Sequence, residues 1–215
     1  MKPEAYEAWY QTPRGMWISD VEFRLVQQVL KAEPGQELLD TGCGTGHFSR
    51  RFADLGLRVT GIDPDTAAIE FAARQSAGID YLLGSTTSLP FPDASFDHVT
   101  AVTSLCFIDD PVLAVEEMWR VSRKTLCLGL LNRHSLLFKQ KYDRGGYRDA
   151  RWDRVQDVRL WLNQLQPQPA RNLYRSAVVF PAGNRIARGM EWMWPNHLLL
   201  GGFLMVMLVK PNHLG

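Results

Sequence analysis

Between residues 37 and 131 short apolar runs alternate with amphipathic stretches, and this rhythm constrains the fold more than any other feature of the chain. "ELLDTG" (37–42), "RVTGID" (58–63), "DYLLG" (80–84), "FDHVTAV" (96–102) and "TLCLGLL" (125–131) read as five short buried strands. "GHFSRRFADLG", "PDTAAIEFAARQSAG" and the stretch opened by Asp110-Pro111 read as helices among them. Asp110 supplies an N-cap and Pro111 a first-turn proline, and Val112, Val115, Met118 and Trp119 then line one helical face. Strand and helix alternating at this spacing predict an α/β fold: a doubly wound, mostly parallel sheet with helices on both faces and right-handed crossovers. Ligands of such sheets bind beyond the carboxyl ends of the strands, near the point where the winding reverses.

Outside this stretch the rhythm changes. Ser19-Asp20-Val21-Glu22 matches a capping box and predicts a helix start at Ser19, running to Pro34-Gly35. After residue 131, "NRHSLLFKQKYDRGGYRDARW" is basic and aromatic, with Gly145-Gly146 as a joint. "DRVQDVRLWLNQLQ" (153–166) reads as a helix, and "RSAVVF" (175–180) and "GGFLMVMLVK" (201–210) as two closing strands. The whole reads as one domain of 215 residues: an N-terminal segment (1–34), a core (35–131), an insertion-rich region (132–197) and a closing strand (198–215). No secretory h-region opens the chain. Its longest apolar stretch, 198–209, falls short of the ~20 residues a membrane span needs, so no transmembrane segment is expected. The three cysteines, Cys43, Cys106 and Cys127, are widely spaced, which fits a reduced cytoplasmic setting, and no His/Cys spacing points to a metal.

The loop "DTGCGTG" (40–46) carries the first chemical signal. A dinucleotide site favours G-x-G-x-x-G, with the pyrophosphate on a helix N-terminus; here Gly42, Gly44 and Gly46 are spaced G-x-G-x-G. Asp40 at the strand end would repel a pyrophosphate and attract an ammonium or sulfonium group. Asp63 ends the second strand, 21 residues after Gly42, where a carboxylate can accept from both hydroxyls of a ribose. Each residue also has a purely structural reading: the glycines as a tight turn, Asp40 and Asp63 as helix caps. Together they favour a nucleoside carrying positive charge over NAD.

"LLDTGCGTGHFSRRFADLGLRVTGIDPD" followed by "LPFPDASFDHVTAVTSLCFIDDPVLAVEEMWRVSRK" resembles the class I S-adenosylmethionine-dependent methyltransferases, most of all their small-molecule, ubiquinone-biosynthesis-like (type 11) branch, over about residues 35 to 131. The resemblance implies a three-layer Rossmann-like sheet of seven strands whose last strand inserts antiparallel beside the fifth. It implies S-adenosylmethionine as cofactor. Asp40, Gly42, Cys43, Gly44 and Gly46 would hold the methionine end, Asp63 the ribose, and Pro64, Ser85 and Thr86 the adenine. Thr103, Ser104 and Leu105 would line the methyl-transfer site. "YEAWYQTPRG" (6–15), with Tyr10, is similar to the segment that folds over the cofactor in this family. Ser85 stands where relatives carry an acid for the adenine amino group, and a hydroxyl makes a weaker, uncharged bond there.

Methyl transfer from a sulfonium needs proximity, alignment and dryness more than acid–base help. His134, just after the fifth strand, is the first candidate for a general base, then Tyr142 and Asp109; His47 reads as a neighbour of the cofactor and His98 as structural. Gly145, Gly146 and Gly183 read as hinges of a lid formed by 132–152 and 184–197, with Trp192, Met193 or Trp194 as an apolar wall and Arg144, Arg148 or Arg151 as anion-binding groups. Residues 1–130 hold 11 Lys/Arg against 18 Asp/Glu, and residues 131–190 hold 12 against 4. That asymmetry favours a small anionic or amphipathic acceptor, or contact with an anionic membrane surface, unless the two regions neutralise each other in the fold. No nucleic-acid-binding module is recognisable. A methyltransferase acting on RNA or protein, and a cofactor-binding partner protein without catalysis, stay open as alternatives.

Overall fold

The computed structural model describes residues 2–211, so Met1 and the last four residues of the closing segment lie outside the described residues. The sheet has seven strands in the order β3-β2-β1-β4-β5-β7-β6. β1 (Glu37–Thr41), β2 (Arg58–Asp63), β3 (Asp80–Leu83), β4 (Phe96–Val102) and β5 (Ser122–Leu131) run parallel. β6 (Arg171–Ala177) forms the far edge, and β7 (Phe203–Val209) inserts antiparallel between β5 and β6. The winding reverses at β1, which pairs β2 on one side and β4 on the other. A crevice therefore opens beyond the carboxyl ends of β1 and β4.

Both faces of the sheet are covered. α1 (Pro3–Tyr10), α2 (Pro13–Leu30) and α3 (His47–Ala53) lie on one face, where Val26, Phe52, Leu38, Val59 and Phe203 pack together. α4 (Thr66–Gln75) links β2 to β3. α5 (Pro111–Val121) is capped by the Asp110 carboxylate, which accepts from the Leu113 N–H as the sequence predicts. It packs Met118 and Trp119 against Leu39, Val99 and Leu126 on the other face. A third, smaller cluster of Cys106, Leu131, Leu137 and Trp152 anchors α6 (Leu136–Lys141) and the chain that follows at the carboxyl end of β5. α7 (Val155–Leu162) lies on α5, and α8 (Arg185–Met193) precedes β7.

Several boundaries differ from the sequence reading. α2 does not start at Ser19. Thr12 is its N-cap, accepting from Gly15 N–H at 3.0 Å, with Pro13 at the first position. Ser19 and Glu22 sit inside the helix and are buried. The corner between α1 and α2 depends on Gly15, since a side chain there would strike the Trp9 carbonyl. β6 begins and ends earlier than "RSAVVF", because Val178 takes a left-handed φ of 62° and turns the chain away after Ala177. α7 starts at Val155 rather than 153, because Asp153 bridges Asn132 in extended form. It ends at Leu162, short of 166. α6 and α8 are helices that the sequence reading left unassigned.

Candidate functional site

Tight turns of backbone build the first wall of the site. β1 delivers Asp40 and Thr41, and the chain then passes through Gly42 at φ 65°, Gly44 at φ 53° and Gly46 at φ 76° before α3 begins. These are left-handed conformations that glycine adopts without steric cost. A β-carbon at Gly42 would run into Ser104 at the end of β4. Ser104 in turn donates to the Thr41 carbonyl at 2.8 Å, tying the two strand ends together. Gly44 has nothing within 4 Å of the place where a side chain would start, so its backbone is open to the crevice.

Two carboxylates flank this loop. Asp40 is only 2% exposed; it accepts from Ser49 Oγ at 2.6 Å and Thr100 Oγ1 at 3.2 Å. Burial raises its pKa to about 6, the Ser49 and Thr100 hydroxyls pull it back, and the neighbouring Asp63 pushes it up. Asp63, at the end of β2, accepts the Gly44 N–H at 2.8 Å and the Asp65 N–H at 2.9 Å, one on each oxygen. Burial raises its pKa against those two amides. Each oxygen keeps a lone pair for a further donor. Two carboxylates both pushed toward protonation, in one small volume, form a site that gains from receiving a cation.

The opposite wall comes from helices and loops. α1 presents Tyr6, Trp9 and Tyr10, and α2 presents Arg14, Ile18 and Glu22 at successive four-residue steps. The Tyr10 ring stacks flat on His47 at 3.6 Å. α1 is fastened across the cleft by Glu7, which accepts from Thr45 Oγ1 at 2.7 Å and from Arg50 Nη2 at 2.6 Å. Residues 141–149 close the far side with Lys141, Arg144, Tyr147 and Arg148. The two arginines and the lysine have no ion-pair partner among the described residues. The walls enclose a cleft of about 1000 Å³, at the upper end of small-molecule sites and roomy enough for a nucleoside beside a second molecule. Its floor at the strand ends is acidic and its outer side is basic. The charge imbalance between residues 1–130 and 131–190 thus meets partly across this space.

Tyr10, Asp40, Gly42, Cys43, Gly44, Asp63, Pro64, Ser85, Thr86, Thr103 and Ser104 all border the cleft. Gly46 and Leu105 do not. Gly46 opens α3, and a β-carbon there would meet the Tyr81 hydroxyl, so its role is packing. Leu105 is wholly buried in the core; its carbonyl accepts from Arg151. Ser85 is exposed at the rim, its hydroxyl 2.8 Å from Thr87 Oγ1. His47 borders the cleft, and His98 is a buried bridge between Thr125 and Gln36 whose pKa burial lowers to about 4.

The acceptor-side expectations fare differently. His134 and Tyr142 are exposed and neither borders the cleft, nor does Asp109. His134 instead sits in the exposed turn between β5 and α6, where its backbone N–H donates to Asn132 Oδ1 at 3.0 Å. Arg151 is not free for an anion: it binds Asp153 at 2.7 Å and the carbonyls of Ile108 and Leu105, and lies over Trp161. Trp192 is 81% exposed on α8, and Trp194 packs edge-on against Phe180, so neither walls the cleft. The sequence reading missed Glu22. Its inward position was readable from the four-residue steps from Arg14 through Ile18, but a helix start at Ser19 hides that phase. Among the described residues there is no group of His, Cys, Asp and Glu able to hold a metal, and no helix long and apolar enough to cross a membrane.

Residues 39–125 match the family described as "Methyltransferase domain". Over 100 residues the chain is 40% identical to demethylmenaquinone methyltransferase of Renibacterium salmoninarum, covering 46% of the chain and 42% of that protein. Over 92 residues it is 38% identical to malonyl-[acyl-carrier protein] O-methyltransferase of Serratia marcescens, covering 43% and 36%. The chain thus spans less than half the length of these curated relatives. Among solved structures, a SAM-dependent methyltransferase of Thermotoga maritima, described as a possible histamine N-methyltransferase, superposes with a TM-score of 0.72 at 22% identity, covering 96% of this chain and 95% of that one.

Proposed function

With residues 39–125 matching a methyltransferase domain, we propose that the chain binds S-adenosylmethionine and transfers its methyl group to a small, anionic or amphipathic acceptor. One observation carries the reading: two carboxylates whose pKa values burial raises and an open glycine backbone on one side of the cleft, unpaired cations on the other. When bound, the cofactor supplies a methyl group already activated by a sulfonium centre.

In this reading Asp63 takes the ribose hydroxyls while its amide bonds hold it in place. Gly42, Cys43 and Gly44 lie along the methionine portion, with Asp40 beneath them favouring its positive charge. Pro64, Ser85 and Thr86 border the adenine end. Thr103 and Ser104 mark the passage from the cofactor half of the cleft to the acceptor half. There Tyr6, Trp9, Tyr10 and Tyr147 exclude water, while Arg144 and Arg148 hold the anionic part of the acceptor. Aligning the two partners in a dry space accounts for most of the acceleration such a reaction needs.

Two measurements test this reading. Calorimetry should show binding of S-adenosylmethionine and S-adenosylhomocysteine and none of NAD. Incubation with methyl-labelled cofactor and a metabolite extract, followed by mass spectrometry, should reveal a labelled small product. Binding of NAD without response to either sulfur nucleoside would remove the reading. Tight nucleoside binding with no labelled product across broad extracts would leave a non-catalytic binding protein. Label on RNA or protein alone would move the acceptor to a macromolecule.

A further inference from the structure

We propose that Glu22 is the base of the acceptor half, and that the acceptor is methylated at a protic oxygen, an alcohol or a phenol, whose proton passes to the Glu22 carboxylate. This rests on the methyl-transfer reading above and adds to it the reacting atom and the residue that serves it.

Glu22 is 9% exposed and borders the cleft, yet its carboxyl has no hydrogen-bond or ion-pair partner among the described residues. The charged and titratable groups on α1, α2 and α3 beside it are engaged elsewhere, and the unpaired Lys141, Arg144 and Arg148 stand on the segment after β5. Arg51 of α3 donates to Ser19 and Asp20 and lies over the Phe23 ring at 4.3 Å. From α1, the Tyr6 and Tyr10 hydroxyls bond each other at 2.9 Å, and Glu7 binds Thr45 and Arg50. His47 bonds Ser19 and stacks on Tyr10. Arg14, two turns earlier on α2, donates to the Pro181 carbonyl. Tyr147 faces the same space from the segment after β5. Burial raises the Glu22 pKa to about 8, with Arg51 opposing it. A carboxyl buried without a partner weakens a fold. Packing alone would be served by an apolar side chain or an amide. An acid in a cleft with a strongly perturbed pKa and no structural partner is a candidate working group.

The other carboxylates of the cleft cannot take this role. Asp40 is held by the Ser49 and Thr100 hydroxyls, Asp63 by the Gly44 and Asp65 amides, Asp65 caps α4 by accepting from the Ala67 and Ala68 N–H groups, and Asp149 lies on the exposed outer side. The chemistry then selects the acceptor class. A neutral amine attacks with a free lone pair, and a carboxylate acceptor carries no proton to lose; a hydroxyl must shed its proton, and a thiol or an enol carbon, which would call on the same base, is told apart from it by the product. A base serves that purpose best when its pKa lies near the working pH. In balanced form, the O–H bond breaks and its proton goes to a Glu22 oxygen. The O–CH₃ bond forms as the S–CH₃ bond breaks, leaving that electron pair on sulfur. One negative and one positive charge disappear together, which a dry cleft favours.

Charge coupling gives a test that needs no acceptor. With burial raising its pKa to about 8, the Glu22 carboxyl is mostly protonated at pH 7 in the free protein. A sulfonium in the same cleft draws it toward ionisation, whereas the neutral sulfur of S-adenosylhomocysteine does not. Calorimetric titrations in buffers of different ionisation enthalpy should therefore show more proton release with S-adenosylmethionine than with S-adenosylhomocysteine. Any proton lost from Asp40 to the shared amino group is common to both ligands. Glu22→Gln should abolish the difference while leaving S-adenosylhomocysteine affinity within about threefold. It should lower labelling of the extract product by about 100-fold or more, the usual worth of a positioned base. The labelled product should carry an O-methyl group. Equal proton release in wild type and Glu22→Gln, wild-type labelling by the variant, or a product methylated on nitrogen, sulfur or carbon overturns the proposal. Should Glu22→Gln not fold, Glu22→Asp retracts the carboxyl by one methylene and should slow labelling at least about tenfold with nucleoside affinity intact; unchanged labelling overturns it. Failure of the wild type to bind either nucleoside overturns both this proposal and the reading it rests on.

Discussion

The two walls of the cleft are held by different means. The strand-end wall is fastened by backbone: Asp63 grips the Gly44 and Asp65 amides, Ser104 the Thr41 carbonyl, and Gly42 leaves room for nothing but itself. The facing wall is fastened by side chains on α1, α2 and the chain after β5. Residues 141–149 include Asp143, Gly145 and Asp149 at left-handed φ values, and unpaired cations at the rim. A wall made of backbone geometry can serve one ligand in many proteins. A wall made of side chains can change with the second ligand and leave the first untouched.

That contrast can be sharpened in order of expected effect. The largest belongs to Glu22 and to stability. Its pKa is raised from 4.5 to about 8, so below pH 4.5 folded and unfolded chains both hold the proton. As the pH rises from 4.5 to 8 the unfolded chain ionises first. The native state then loses stability through this group by about 1.4 kcal/mol per pH unit, levelling off above 8. Thermal melts without ligand should show Glu22→Gln gaining on the wild type steadily across that window. Parallel melting curves at all pH values would show that the carboxyl is not held as described.

Next comes the backbone-fastened wall. Asp63→Ala should weaken S-adenosylmethionine binding by about 1–3 kcal/mol with the fold retained, read by calorimetry alongside circular dichroism. An unchanged affinity would break the assignment of this wall to the nucleoside. Smaller again, Arg144→Ala and Arg148→Ala should raise the acceptor's Michaelis constant several-fold in a salt-dependent way, with cofactor affinity unmoved. Loss of cofactor affinity in either would erase the division of labour between the walls. The smallest effect is Ser85→Asp, which should tighten cofactor binding by about 1 kcal/mol by restoring a charge-assisted acceptor at the adenine end. Weaker binding would mean that the Ser85–Thr87 contact at the rim matters more than the adenine edge.

The same division governs what the sequence discloses. Strand periodicity, the glycine spacing and the two acids make the strand-end wall legible, because backbone geometry demands particular residues at particular places. Asp40, Gly42, Gly44, Asp63 and Ser104 all meet where the doubly wound pattern puts them. The facing wall follows no such demand. His134 follows the fifth strand as expected, yet the tight turn in which its backbone N–H bonds Asn132 leaves its side chain exposed outside the cleft. Arg151 looks like a free cation beside Arg148, but three close acceptors hold it. Those acceptors come from residues 105, 108 and 153, a meeting that only the folded chain creates. Glu22 hides behind a good capping pattern, because local sequence cannot show that Thr12-Pro13 has already started the helix.

The fastening of α1 bears on time rather than on equilibrium. Glu7 reaches across to Thr45 and Arg50, so the N-terminal helix is pinned to the glycine loop itself. Burial opposes ionisation of this carboxyl, but His47, Thr45 and Arg50 outweigh it and hold its pKa at about 2. Glu7 therefore keeps its charge, and with it both contacts, far below neutral pH. In the proposed reading, a nucleoside held beneath α1 would leave past that helix only as those contacts part. How tightly the nucleoside binds and how long it stays are then set by different residues: the strand-end wall fixes the first, and a single glutamate near the start of the chain lengthens the second.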